Sequence, residues 1–224
     1  MVVLHYTAMK TAQAALDRLC DPKAEVSAHY LISETGQVWQ LVPEHKRAWH
    51  AGAGQWGDVS DVNSRSIGIE LANPGDCPFP EPQMAALEVL LADVLARWGI
   101  PPKAVIGHSD MAPDRKQDPG HRFDWQRLAR QGLSIWPQVR RGDYLGQEGW
   151  DAAKIIEIGQ ALRTLGYVMP DNDMAPLHVY NAFATRFGCI GAENRGYAIA
   201  MAQDLAARFP FERHELTPDD PTPK

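Results

Sequence analysis

The sequence predicts an α/β protein: a mixed central β-sheet flanked by helices, with a small C-terminal three-helix domain. Two observations carry this. Short apolar or β-branched runs alternate with helical periodicity through about residue 137, the pattern of helices packed on a central sheet. From residue 150 onward only helical patterns recur. At 224 residues, 45% hydrophobic and 22% charged, the chain has the size and composition for one medium globular domain and an appendage.

The elements follow in order. "VVLHYTA" reads as a buried strand interrupted by a histidine. "TAQAALDRLC" has helical spacing, with Thr11 as N-cap and Asp21-Pro22 as its stop. "AHYLISETGQVWQLVP" holds two strand-like runs, residues 30–33 and 38–42, around Thr35-Gly36, and so predicts a hairpin. "SIGIELAN" is a central strand. In "PEPQMAALEVLLADVLARWGI" the apolar residues Met84, Leu87, Leu91 and Leu95 recur at helical spacing and Gly99 ends the helix. "AVIGHSD" is a strand that leaves into the loop "GHSDMAPDRKQDPG", whose prolines and glycines argue against helix over most of its length. "DWQRLARQGL" is a short helix. These elements make a first domain, residues 1–139. Residues 140–149, rich in glycine and charge, read as a linker. Residues 150–212 carry helical patterns at 150–165, 176–187 and 194–209, with an expected core of their own from Ile155, Ile158, Leu162, Tyr180, Phe183 and Leu205. Residues 213–224 form a polar, proline-rich tail with the composition of disorder.

Bulk properties exclude some functions. A formal charge of −6 argues against a general nucleic-acid binder, which needs a basic field to engage phosphates. No apolar run is long enough for a membrane span. The opening "MVVLH" has no basic n-region or signal-length apolar stretch, so a cytoplasmic setting is expected. Cys20, Cys77 and Cys189 are odd in number and far apart, which predicts reduced thiols rather than disulfides or a CxxC metal knuckle.

Three apolar strands each carry one titratable group: His5, Glu70 and, at a strand end, His108. Buried charge is costly unless it is paired or metal-bound. Sites in open α/β sheets gather at strand ends. Two imidazoles and a carboxylate suit a zinc ion that keeps an open position for water. The loop offers Asp110, Asp114 and Asp118 as the carboxylate, and spacing alone does not choose among them. Glu70 is then a candidate base for the metal-bound water. Lys116 stands two residues from Asp118, and residues two apart in an extended loop point the same way. It could face a developing oxyanion.

Five segments, "VLHYTA", "HYLISETGQVWQLVPE", "AWHAG", "SIGIELAN" and "GHSDMAPDRKQDPG", together resemble the zinc-dependent N-acetylmuramoyl-L-alanine amidases, a family that includes a phage lysozyme with amidase activity and the peptidoglycan recognition proteins. The resemblance covers most of residues 2–137, in the family's order. It implies that His5, His108 and Asp118 hold Zn2+, that Glu70 and Lys116 are catalytic, and that Trp49 and His50 line the substrate groove. Tyr30 and Asn73 are further substrate-binding candidates. Asp110 and Asp114 are left to shape the loop. The implied substrate is a peptidoglycan fragment, cut between N-acetylmuramic acid (or its 1,6-anhydro form) and L-alanine during cell-wall turnover. "ALRTLGY" looks like the start of a peptidoglycan-binding module, which the residues after it match only loosely. Two alternatives compete. A recognition protein without turnover typically lacks a metal ligand, whereas the set here is complete. A glycosidase needs two acidic residues about the scissile bond, and Glu70 has no carboxylate partner besides the expected ligand.

Overall fold

The computed structural model describes residues 1–144 and 151–212. The expected linker is therefore described only as far as Tyr144, and the expected disordered tail, 213–224, lies outside the described residues.

Strand β1 (Val2–Tyr6) leads to helix α1 (Ala12–Cys20), where the Thr11 side chain accepts from the Ala14 N–H as expected of an N-cap. The hairpin is present as β2 (Tyr30–Ile32) and β3 (Val38–Gln40). A single-turn helix, α2 (Val62–Arg65), precedes β4 (Ile67–Leu71). The long helix α3 (Glu81–Trp98) ends at Gly99, whose φ of 60° is the left-handed cap that glycine accepts without strain. Strand β5 (Val105–Gly107) runs directly into α4 (His108–Met111), and α5 (Trp125–Arg130) follows. The charged loop thus begins with one helical turn, which its sequence did not suggest. That turn is held because Gly107 N–H donates to the Asp110 carboxylate at 2.7 Å.

The sheet has the order β3-β2-β4-β1-β5. Strands β2, β4, β1 and β5 are mutually parallel, and only β3 is antiparallel. The parallel strands therefore end at one edge, and His5 lies directly opposite Glu70. Side chains alternate between faces along each strand. Val2, Leu4, Ile67, Ile69 and Tyr30 pack beneath α3 and α5 with Leu87, Leu91 and Trp125. Val3 and Ile106 face the other way. His5 and Glu70 share that second face by the same alternation.

The second face is covered by the C-terminal helices α6 (Ala152–Leu165), α7 (Ala175–Phe187) and α8 (Arg195–Arg208). Ile158, Leu162, Phe183 and Leu205 are buried as expected. Ile155 is corrected: it is 45% exposed, because the buried stripe of α6 runs through Ile158, Ala161, Leu162 and Leu165 instead. Tyr180 is only partly buried against the core. The expectation of an independent core is also corrected. One apolar cluster runs from Val3, Ile106 and Met111 through Trp56 into Tyr167, Phe183 and Leu205. Polar contacts cross the same boundary: Gly57 N–H donates to Gly166 O at 2.7 Å, and Arg186 on α7 pairs with Asp110 on α4 at 2.6 Å.

Candidate metal centre

His5 leaves β1, His108 opens α4 where β5 ends, and Asp118 closes the loop. Their donor atoms converge. His5 Nδ1 and His108 Nδ1 are 3.0 Å apart, and Asp118 Oδ2 is 2.9 Å from the first and 3.0 Å from the second. All three residues are buried. Of the three loop aspartates, Asp118 alone meets both histidines. Asp110 turns inward to Arg186 and the Tyr167 hydroxyl, and Asp114 is exposed.

Hydrogen bonds behind the histidines decide which nitrogen is bare. His108 Nε2 faces the carbonyl of Ala51 at 2.8 Å and must donate, which leaves Nδ1 as a lone pair. For His5 the chain is longer. The Ser66 hydroxyl donates to Val62 O, so its oxygen can only accept from His50 Nε2 at 3.2 Å. His50 Nδ1 is then an acceptor for His5 Nε2–H at 3.0 Å, and His5 Nδ1 is left bare. Two lone pairs and a carboxylate oxygen meet within 3.0 Å. Three mutually repelling electron-rich atoms in a buried place fit a bound cation, and the donor set of two nitrogens and one oxygen suits a divalent metal. Burial, with His108 adding to it, pushes the His5 pKa down to about 4, so its imidazole is neutral at pH 7 as a ligand must be. Burial opposes ionisation of Asp118; with no cation between them, hydrogen bonds donated by the His108 and His5 rings outweigh it and lower the Asp118 pKa below the usual carboxylate range.

Glu70 completes the site. Its Oε2 is buried with no hydrogen-bond partner. Burial, then the charge of Asp118, lifts its pKa to about 8, with Lys116 pulling it back. Glu70, Lys116 and Asp118 line one cleft of about 440 Å3, together with Trp49, Arg18 and Arg115. Trp49 is 58% exposed at its rim, with the Arg47 guanidinium 4.4 Å from its ring centre.

The other expected site residues separate. His50 borders the cleft, but both ring nitrogens are engaged behind His5, which makes it a support for the metal ligand. Tyr30 is not brought to the cleft: strand alternation turns it under α3, where its hydroxyl donates to Glu44 at 2.6 Å. Asn73 is also turned aside, its side chain accepting from Gly75 N–H and donating to Cys77 O. Sequence reasoning missed Asn63 and Ser66. Asn63 Oδ1 accepts from the backbone N–H of both His50 and Ala51, so it pins the segment that backs both histidines. The one available signal was Gly68, since a glycine inside a strand marks a close approach. A Cβ there would lie 2.4 Å from the His50 ring. Gly68→Ala is accordingly expected to displace His50 and weaken metal binding about tenfold to a hundredfold, the usual cost of losing a support behind a metal ligand, as measured by chelator competition.

The family model for N-acetylmuramoyl-L-alanine amidase matches residues 1–121. The chain belongs to this family. The amidase is 39% identical over 193 residues to N-acetylmuramoyl-L-alanine amidase AmiD of Escherichia coli, covering 76% of this chain and 68% of the relative. To the 1,6-anhydro-N-acetylmuramyl-L-alanine amidase AmpD of Escherichia coli it is 42% identical over 103 residues, covering 46% of this chain and 56% of that one. Two solved structures are similar nearly end to end. The Escherichia coli AmiD complex with the substrate anhydro-N-acetylmuramic acid-L-Ala-D-gamma-Glu-L-Lys superposes with a TM-score of 0.81 at 35% identity, covering 93% of this amidase and 89% of AmiD. AmpDh3 of Pseudomonas aeruginosa, in complex with anhydromuramic pentapeptide, gives 0.79 at 29% identity, covering 94% and 92%. No helix among the described residues is long and apolar enough to cross a membrane.

Proposed function

We propose that the amidase hydrolyses the amide between N-acetylmuramic acid, or its 1,6-anhydro form, and the L-alanine of a peptidoglycan stem peptide, in cell-wall recycling. The observation that carries this reading is the convergence of His5, His108 and Asp118 beside a partnerless Glu70 carboxylate oxygen. The relatives crystallised with anhydromuramyl peptides support the substrate class.

His5, His108 and Asp118 would hold the metal, which we assign as zinc. Bound there, zinc polarises the scissile carbonyl and acidifies water. Glu70 takes the proton of the attacking water and returns it to the leaving amine of L-alanine. The Glu70 carboxyl borders the cleft with its Oε2 unpartnered, so it is free to take up that proton and give it back. The Lys116 ammonium faces the oxyanion as it forms. Trp49, exposed at the rim, offers a flat apolar face to the sugar or peptide. We keep the cytoplasm as the compartment, a reading supported by the three unpaired cysteines. Fractionation of cells expressing the chain tests it.

Mass analysis of products from soluble anhydromuramyl peptides tests the activity. Free stem peptide is the expected product. A shortened glycan, or no cleavage by the metal-loaded protein, overturns the reading. Asp118→Ala is expected to lose the metal in elemental analysis. Lys116→Ala is expected to keep it while kcat falls on the order of a hundredfold or more.

A further inference from the structure

A second cleft, of about 450 Å3, lies between the 109–121 loop and α7. Arg115, Lys116 and Gln117 line both clefts, so the second begins where the catalytic one ends. Helix α7 presents His178, Asn181 and Thr185 to it. Their spacing of three and four puts them on one helix face. Another face of α7 puts Val179, Phe183 and Arg186 in the core. Across the cleft stand Ser109, Gln117 and His121.

Among the described residues, none of these six side chains makes a hydrogen bond to the protein. His178 Nδ1 is even shut off from solvent without a partner. Gln117, His121 and Asn181 are exposed and bonded to water, which a ligand can replace, whereas the shut-off His178 Nδ1 lacks the partner that a buried polar atom normally has. Their chemistry matches a ligand with many hydroxyls and an amide. It suits an acidic peptide less well. Arg18 lines the catalytic cleft and not the second one, and would meet a stem-peptide carboxylate there. The second cleft adds Asp114 to its wall, and the Arg115 guanidinium is drawn aside to the carbonyls of Ala51 and Ala53.

We propose that this second cleft is a saccharide subsite, built jointly by the catalytic loop and α7, for the N-acetylhexosamine joined to the muramoyl residue. The proposal rests on the amidase reading and names the part of the substrate that the helical region meets. It makes the enzyme prefer disaccharide-peptides over monosaccharide-peptides.

The test compares two soluble substrates with the same stem tripeptide. One carries anhydro-N-acetylmuramic acid alone, and the other N-acetylglucosaminyl-anhydro-N-acetylmuramic acid. The metal-loaded wild type is expected to show a KM about tenfold lower for the disaccharide, the worth of one or two net hydrogen bonds. The double variant Asn181→Ala/Thr185→Ala should bring that ratio to within about twofold. Asn181 is exposed and Thr185 half-buried, so the variant keeps the core intact, and a thermal melt checks this. Equal KM values in the wild type, or a ratio unchanged in the variant, overturn the subsite while leaving the amidase reading standing. So does a ratio that follows stem-peptide length when tri- and pentapeptides are compared. No turnover of either substrate overturns the amidase reading and the subsite with it.

Discussion

Glu70→Gln is expected to cost on the order of a hundredfold to ten-thousandfold in kcat while making the metal-free protein more heat-stable at pH 8. The two effects have one origin. Glu70 sits on the central strand β4, opposite His5, with Oε2 buried and unpartnered. Ionising it there is unfavourable, first through burial and second through Asp118, and its folded pKa rises from the ordinary glutamate value of 4.5 to about 8. The sign of the stability effect follows. An acid whose folded pKa is raised penalises the folded state once the unfolded chain can lose its proton. The penalty is absent below about pH 4.5, grows as pH rises, and levels off above about pH 8. Glutamine carries no such penalty. In chelator, the melting temperatures of variant and wild type should coincide near pH 4 and diverge steadily up to pH 8, the variant melting higher. Elemental analysis should find the variant fully metal-loaded without chelator, since Glu70 is not among the three ligands. A melting difference constant with pH would remove the argument from burial. Near wild-type kcat would remove Glu70 from the chemistry.

Much of this site was legible because a charged residue within an apolar strand needs a reason. His5 and Glu70 stood out that way, and their opposition across β1 and β4 supplies it. Asp118 was a different case. Three aspartates share its loop, and only the resemblance singled it out. The structure gives the cause: Asp110 is spent on Arg186 and Tyr167, partners 76 and 57 residues away, which no local pattern reveals. Tyr30 illustrates the opposite failure. A strand reading alone does not say which face meets the cleft, and a one-residue difference decides between groove and core. The supports behind the ligands were illegible for a simpler reason. Asn63 and Ser66 belong to a single helical turn and its flank, too short for periodicity to show. The helical region was correctly seen as three helices, yet its attachment was not, because amphipathic helices reveal an apolar face without revealing what covers it.

That attachment carries the second large prediction. Arg186→Met is expected to destabilise the whole protein by about 3–5 kcal/mol, the cost of stranding one partner of a buried ion pair. Both partners are buried, and the Arg186 guanidinium bonds Asp110 Oδ2 at 2.6 Å and Val105 O at 2.9 Å while lying 4.3 Å from the Trp125 ring centre. Asp110 also accepts from Gly107 N–H and the Tyr167 hydroxyl. Without Arg186 its charge is left in the core with two neutral donors. Adding Asp110→Asn removes that charge while an amide oxygen can still accept from Tyr167. The double variant should therefore recover part of the loss, a coupling that urea denaturation of both single variants and the double measures directly. The effect reaches the metal. Asp110 belongs to the same helical turn as His108, and Ser109 N–H donates to Asp118 O at 2.9 Å, so loosening this turn shifts two of the three ligands. Metal affinity should fall in Arg186→Met even at temperatures where it stays folded. The shared core further requires one cooperative transition. If the variant instead lost α6 to α8 in a separate early step, with metal affinity preserved, the helical region would be an appendage and Arg186 would have no part in holding the metal loop.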